Sequence, residues 1–455
     1  MTEIALVGHG DPAAILAWRA GKAIRADAFL ADVGRVAAQL PPRRYLVNLC
    51  ADRYCFTVGL GAAMLRGQVS LLPPNQTPEM LGRLAQEYDG LYALIDAGAQ
   101  PAAIETVRFP DDAPPEPSGW SVPVIPAGQI VAVAFTSGST GQPMPQAKTW
   151  GGLARGALGE ASRLGLLDGR PAALVATVPA QHMYGLESSV LLALRNGFAL
   201  HAARPFYPAD VRAALEQVPG ERVLVTTPVH LRALLAEDLL LPELKLVVCA
   251  TAPLPLDIAG EVEARYGVPL LEIYGFTEAG QVAARRTLDG APWRTLPEVR
   301  LRTEGDTVWV QGGPVEKAVP FTDIVEVLDE ERFVLHGRSA DLVNVAGKRS
   351  SLGYLNHQLN SIPGVEDGVF FMPEETGAGI TRLTVFVVAP RLNRAQLISA
   401  LRERVDPVFL PRPLHFVDAL PRSATGKLPL ESLERLARTC EQKERSAKPA
   451  RGDGT

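Results

Sequence analysis

Short apolar runs alternate with stretches of helical spacing along the first 280 residues or so, and the two periods predict different elements. Residues 11–40 repeat apolar positions at helical intervals, rich in alanine and leucine, and stop at Pro41-Pro42, which predicts one long helix. "RYLVNLC" (44–50) then reads as a short buried strand, 53–66 as a helix and "QVSLLPP" (68–74) as a second strand. "IVAVAFT" (130–136) is a buried strand, and further strands recur at "AALVATV", "RVLVTT" and "LKLVVCA", separated by helical patterns at 207–217 and 229–238. Strands alternating with helices predict an α/β fold with a parallel sheet. Between them, the proline-rich 110–126 reads as a connection.

After "PLLEIYG" (269–275) the texture changes. Residues 282–336 alternate apolar and polar positions in short runs ("TVWVQG", "IVEVLD", "RFVLHG") with turn residues between, which predicts a small antiparallel β-barrel unit. A smaller α+β module begins near 338, with a strand at "RLTVFVVAP" and a helix at 394–404. The expected organisation is therefore a large N-terminal domain over 1–337, β-rich in about 282–337, a small C-terminal domain over 338–440, and a charged tail over 441–455 whose composition predicts disorder.

Composition narrows the class of partner. With 455 residues the chain has room for two or three cores, and 47% hydrophobic with 21% charged residues is ordinary for a globular protein. A net charge of −5 and a pI near 5.9 argue against nucleic acid or an anionic membrane surface as a partner. No run of eighteen uninterrupted apolar residues predicts membrane insertion, and "MTEIALVGHGDP" does not read as a signal peptide. Cys50, Cys55, Cys249 and Cys440 lack metal-type spacing and read as free thiols of a reducing compartment, which predicts a cytoplasmic protein.

The candidate chemistry starts where "IVAVAFT" ends. Residues Thr136, Ser137, Gly138, Ser139, Thr140 and Gly141 place backbone N–H groups and hydroxyls in a glycine-containing loop after a buried strand, an arrangement that can wrap phosphate oxygens. By its residues alone such a loop is more often a polar turn than a site. A Walker-type loop is excluded because no lysine follows a glycine in register, and a nucleophile elbow because Phe135 and Ser137 stand where glycines belong.

Five segments in fixed order settle that ambiguity by likeness. "TSGSTGQP" (136–143), "IYGFTEAG" (273–280), "FTDIVEV" (321–327), "GRSADLVNVAGKR" (337–349) and "PRSATGKLPLESL" (421–433) resemble the core motifs of the adenylate-forming superfamily of acyl- and aryl-CoA synthetases, adenylation domains and luciferases. "PAQHMYGLES" (179–188) and "CATAPLPLDIAGEVEARYG" (249–267) also resemble family segments. The resemblance implies a small, mobile C-terminal domain and activation of a carboxylic acid by ATP and Mg2+. The products would be an acyl-adenylate and pyrophosphate, with the acyl group then passing to the thiol of CoA or of an acyl carrier protein. It implies β- and γ-phosphate binding by 136–141, a nucleotide contact at Thr251 and Ala252, and adenine against Tyr274 with Gly275 beside it. It further implies the α-phosphate at Thr277, the metal at Glu278, ribose contacts from Asp323 and Arg338, and the carboxylate near His182. Lys427 would bridge carboxylate and α-phosphate, whose repulsion a flexible ammonium offsets.

This chain departs from the family pattern in three places. Met144 and Pro145 stand where lysine and glycine are usual, so that half of the loop lacks a cation and one N–H donor. Lys148, four residues on, lies about 13 Å away along an extended chain and could replace the lysine only if the chain folds back after Pro145. Ala340 occupies the usual hinge aspartate, with Asp341 next to it, and the chain is short for the family. The "TGQP-x-P-x-x-KTW" pattern resembles ligases of aryl-polyene and xanthomonadin-type pigment synthesis, which implies a hydroxylated aromatic acid. A non-catalytic adenylate-binding protein on the same scaffold is the alternative.

Overall fold

The computed structural model describes residues 2–98, 104–110, 120–136, 144–237, 239–305, 307–338, 342–345, 348–372, 383–405, 407–423 and 428–447. They form two compact units, Met1–Pro320 with Val327–Phe333, and Phe321–Glu326 with Val334–Thr455.

The first unit is built on two sheets. One runs Met144–Thr149, Ile130–Thr136, Val69–Leu72, Tyr45–Asn48, Tyr92–Ile95, Thr106–Arg108, all parallel except the Met144–Thr149 edge. In the other, Leu270–Phe276, Leu246–Cys249, Glu221–Thr226, Ala172–Ala176, Ala199–His201 and Ile15–Arg19 are parallel neighbours in that order. Gly280–Arg286 and Pro292–Thr295 extend it antiparallel on one side. The parallel strands read as unbroken apolar runs because both faces are covered: Leu174, Val223, Val225 and Val248 pack to one side, Val175, Leu224 and Val247 to the other. Arg300–Glu304, Thr307–Gly312 and Val315–Pro320 make a separate antiparallel meander.

In the second unit, Asp367–Phe371, Thr384–Val388 and Leu414–Phe416 form a sheet under the helices Leu352–Asn360 and Arg394–Arg402, cored by Leu355, Leu359, Phe370, Val385, Leu397 and Leu401. Arg422 fixes this sheet from outside through a two-pronged bridge to Asp367.

Three local readings change. The helix expected over 11–40 is confined to Ala26–Gln39, and Ile15–Arg19 and Lys22–Arg25 form a hairpin. Its turn, Ala20-Gly21, has both residues at positive φ, which glycine supplies freely, and pairing with Ala199–His201 rewards the extended form. Within the supposed connection, Val124–Pro126 pairs with Glu3–Ala5. The helix Leu430–Ala447 carries on through the first part of the tail expected to be disordered, because glutamate, glutamine, lysine and arginine there favour helix once it is started; 448–455 lie outside the described residues. Among the described residues no helix is long and apolar enough to cross a membrane.

Candidate functional site

In the large sheet, the connection from Ala172–Ala176 leads to the neighbour on one side and that from Glu221–Thr226 to the neighbour on the other. Connections leaving in opposite directions open a crevice at the carboxyl ends of the strands, where open α/β sheets place ligands. Most of the described candidate residues lie along that edge.

The strand Leu270–Phe276 reaches the edge, turns through Thr277, Glu278 and Ala279, and returns as Gly280–Arg286. The turn is tight because its glycines allow it. A Cβ on Gly275 would lie 2.4 Å from the Gly280 carbonyl oxygen, and Gly280 itself has φ +80°. Thr277 and Glu278 are left half-buried at the tip, with Gly275 exposed beside them. Tyr274 is only 8% exposed, its ring 5.6 Å from those of both Trp293 and Phe333, with Arg285 stacked on the far face of the cluster at Trp293. Such packing fixes the ring plane and leaves little of it for a ligand.

Neighbouring strands end in loops that are held rather than free. Thr251 follows Leu246–Cys249 at φ +82°, a conformation that a β-branched residue adopts at a cost on the order of 1–3 kcal/mol, typical of ligand-binding loops. Buried Glu272 accepts from the Leu254 N–H of the same loop, from Arg285 and from Thr287. Next to Thr251, Ala252 is half-buried. His182 is half-buried at the start of the turn Met183–Gly185, whose approach to Pro179 leaves no room for a Cβ at Gly185. The Tyr184 hydroxyl points at the carbonyls of Thr226 and Val248, at 3.1 and 3.0 Å, clasping two strand ends. His230 is buried against Thr227 and Phe206.

Lys148 answers the question of the missing cation. Met144–Thr149 is a regular strand paired residue for residue with Ile130–Thr136 from Met144 to Lys148, so the chain does not fold back after Pro145. Alternation puts Met144, Gln146 and Lys148 on one face, yet Met144 is exposed while Lys148 is buried. Its Nζ donates to the Glu278 carbonyl oxygen at 3.0 Å. Burial pulls this ammonium down from its ordinary value, and the charges of Glu187 and Glu278 oppose that.

Two further buried carboxyl groups were not singled out by sequence reasoning. Glu187 sits on the π-helical turn Leu186–Leu191; burial raises it to about 7, against the pull of Lys148 and of the Gln281 N–H, which donates to it at 3.3 Å. Glu160, on the helix Trp150–Arg163, has no exposed surface and no partner in hydrogen-bonding geometry for either oxygen. Burial raises it to about 8, and the side chains of Ser188 and Gln281 offset part of the rise, so its protonated form is favoured near neutral pH. Arg53 was missed as well: fully buried, it donates to Ser189 and to the carbonyls of Ala176 and Val178. The only sequence signal was a charged residue inside an apolar run, as in "YGLESSVLLAL".

The remaining candidates lie in the second unit, on another strand or outside the described residues. Asp323 opens the strand Asp323–Val327 in the second unit, half-buried, and Arg338 closes Arg332–Arg338. Thr136 is the last residue of its strand. Ser137, Gly138, Ser139, Thr140, Gly141 and Lys427 lie outside the described residues, as do Ala340 and Asp341. Among the described residues no group of three or more His, Cys, Asp or Glu is arranged to hold a metal. A lone carboxylate at Glu278 still suits Mg2+, which keeps water and phosphate oxygens as its other ligands.

Residues 41–355 match the family described as AMP-binding enzyme. A 4-coumarate–CoA ligase of Rhodobacter capsulatus is 32% identical over 300 residues, 65% of this chain and 74% of the relative. A 2-succinylbenzoate–CoA ligase of Bacillus velezensis is 24% identical over 426 residues, 84% of each. Among solved structures, ATP-bound MatB of Rhodopseudomonas palustris superposes with a TM-score of 0.79 at 20% identity, covering 95% of this chain and 97% of that one. The Bacillus subtilis o-succinylbenzoate CoA synthetase with its acyl-adenylate intermediate gives 0.79 at 19%, covering 95% and 99%.

Proposed function

The chain belongs to the AMP-binding enzyme family, and from that membership we propose how its residues divide the work of an acid–thiol ligase. The enzyme activates a carboxylic acid with ATP and passes the acyl group to a thiol, as its CoA-ligase relatives are named for doing. A carboxylate oxygen attacks the α-phosphorus, the bond to the β-phosphate oxygen breaks, and pyrophosphate leaves. The thiol sulfur then attacks the acyl carbon, losing its proton as AMP departs.

Residues 136–141 would cradle the outgoing pyrophosphate, Thr277 the α-phosphate and Thr251 with Ala252 the nucleotide, and the base would lie on exposed Gly275 and the small part of the Tyr274 ring that packing leaves open. Glu278 would hold Mg2+, which neutralises phosphate charge when bound. Asp323 and Arg338 take the ribose, and Lys427 brings the two anions together. His182, on the loop after Ala172–Ala176, faces the acid from the crevice. The turn Thr277–Gly280 carries this reading, since it presents a half-buried hydroxyl and a carboxylate on a backbone too tight to relax.

CoA is the acceptor that the relatives support. The "TGQP-x-P-x-x-KTW" pattern supports an acyl carrier protein and a hydroxylated aromatic acid, while the basic pair Lys348 and Arg349 suits either acceptor; four free cysteines support a cytoplasmic setting. The test is pyrophosphate release with Mg·ATP, hydroxylamine and a panel of aromatic, short-chain and long-chain acids, then single-turnover transfer to CoA and to carrier protein side by side. Lys427→Ala is expected to lose most adenylation while keeping ATP binding, and normal adenylation in that variant would overturn the role given to Lys427; silence of the wild type with every acid, with ATP still bound, favours a non-catalytic binding protein.

A further inference from the structure

Lys148 and Glu187 reach one turn from two different elements. Lys148 stands on the strand that leaves the phosphate loop and donates to the carbonyl of Glu278. Glu187 stands on a π-helical turn, a distortion that recurs at functional sites, and accepts from the N–H of Gln281. It lies so close that a Cβ on Gly280 would meet its Oε1 at 2.8 Å. The turn Thr277–Gly280 is thus gripped at a carbonyl on one flank and an N–H on the other, by two side chains of opposite charge.

Stability is a poor account of this pair. Withdrawing an ammonium and a carboxylate from water costs several kcal/mol each, and such pairs are often matched or bettered by apolar side chains of like volume. What the pair does supply is geometry. A carbonyl held by an ammonium cannot rotate, and the peptide bearing the Glu278 side chain rotates with it.

We propose that Lys148, balanced by Glu187, is a positioning residue that locks the Thr277–Gly280 turn so that the Glu278 carboxylate meets the metal–nucleotide complex already oriented. The lysine absent from the phosphate loop is therefore not replaced there. Lys148 supplies its cation one layer back, through the backbone of the metal-binding residue. This rests on the assignment of Glu278 to Mg2+ made above.

The experiment compares the wild type, Lys148→Met and the doubly neutral Lys148→Met/Glu187→Gln. The double variant leaves no unpaired buried charge and retains an acceptor for Gln281, so it folds even where the single variant fails. Three quantities are read: the Kd of Mg·ATP, the Kd of ATP in EDTA, and amide exchange across 276–281. In the double variant Mg·ATP is expected to bind about tenfold more weakly, ATP without metal within about twofold of wild type, and the turn amides to exchange about tenfold faster. Unchanged Mg·ATP affinity and turn protection would overturn the proposal. So would equal losses with and without magnesium, which would put Lys148 on the phosphates instead. A wild type that binds ATP equally with and without Mg2+ would sink the metal assignment itself, with its own protection data still reporting on the lock.

Discussion

Where the strands Ala172–Ala176, Glu221–Thr226 and Leu246–Cys249 begin, charge is shared and wet: Lys245 reaches Asp168 and Glu221 together, and Arg170 joins Glu221 from the solvent side. Around the other edge, charge is dry and unevenly matched. Among the described residues Glu160 has no well-formed hydrogen bond to its oxygens, Glu187 is held by one N–H and a neighbouring ammonium, and Thr251 sits in a backbone conformation that its side chain disfavours. One sheet carries both regimes. The lesson is that the first edge was free to relax to local minima, while the second is held away from them by its packing, as expected where a ligand must be met by preset groups.

The comparison breaks most visibly at Glu278. Glu278→Gln keeps the turn and its backbone bonds but removes the carboxylate proposed to hold Mg2+, so adenylation should fall by at least on the order of 100-fold with an unaltered melting temperature. Activity within a few-fold of wild type would move the metal elsewhere.

Glu160 gives the next effect, on stability against pH. Its folded value is raised to about 8, so between the ordinary carboxylate range and pH 8 the folded state holds a proton that the unfolded state has released. Stability therefore falls as pH rises across that window and levels off above it, and Glu187, raised to about 7, acts in the same direction. Urea unfolding at pH 5.5 and 8.5 should show the wild type losing about 1–3 kcal/mol more than Glu160→Gln between the two. Parallel losses would mean that Glu160 ionises freely in the folded state. The smallest effect belongs to the wet edge. Lys245→Met should leave adenylation unchanged and move the melting temperature by no more than about 2 °C, because water screens and replaces what the lysine gives.

Much of this was readable before any coordinates. The run "IVAVAFT", the strand ends and the glycine spacing of "IYGFTEAG" are local signals, and each became the element that its period or its glycines require. The helix expected over residues 11–40 failed between 15 and 25 because Ala20-Gly21 and a partner strand almost two hundred residues away outweigh local alanine content. Lys148 could be questioned from sequence but not answered. Strand alternation gives its face, whereas the carbonyl it meets lies across a contact of sequence separation 130. Glu160, Glu187 and Arg53 left only the faint mark of charge within apolar runs, since which partner meets a buried group is a property of packing.

Arg53 has a consequence for how the chain becomes a protein at all. Its helix, Arg53–Leu65, belongs to the first α/β layer, but every hydrogen bond described for its guanidinium is made to residues of the second: Ala176, Val178 and Ser189. Emerging from the ribosome, the first layer would hold a cation whose partners in the finished fold arrive only about 130 residues later. The two layers are thereby made one cooperative unit, and a fragment ending near residue 150 should behave as an incomplete fold rather than as a small domain.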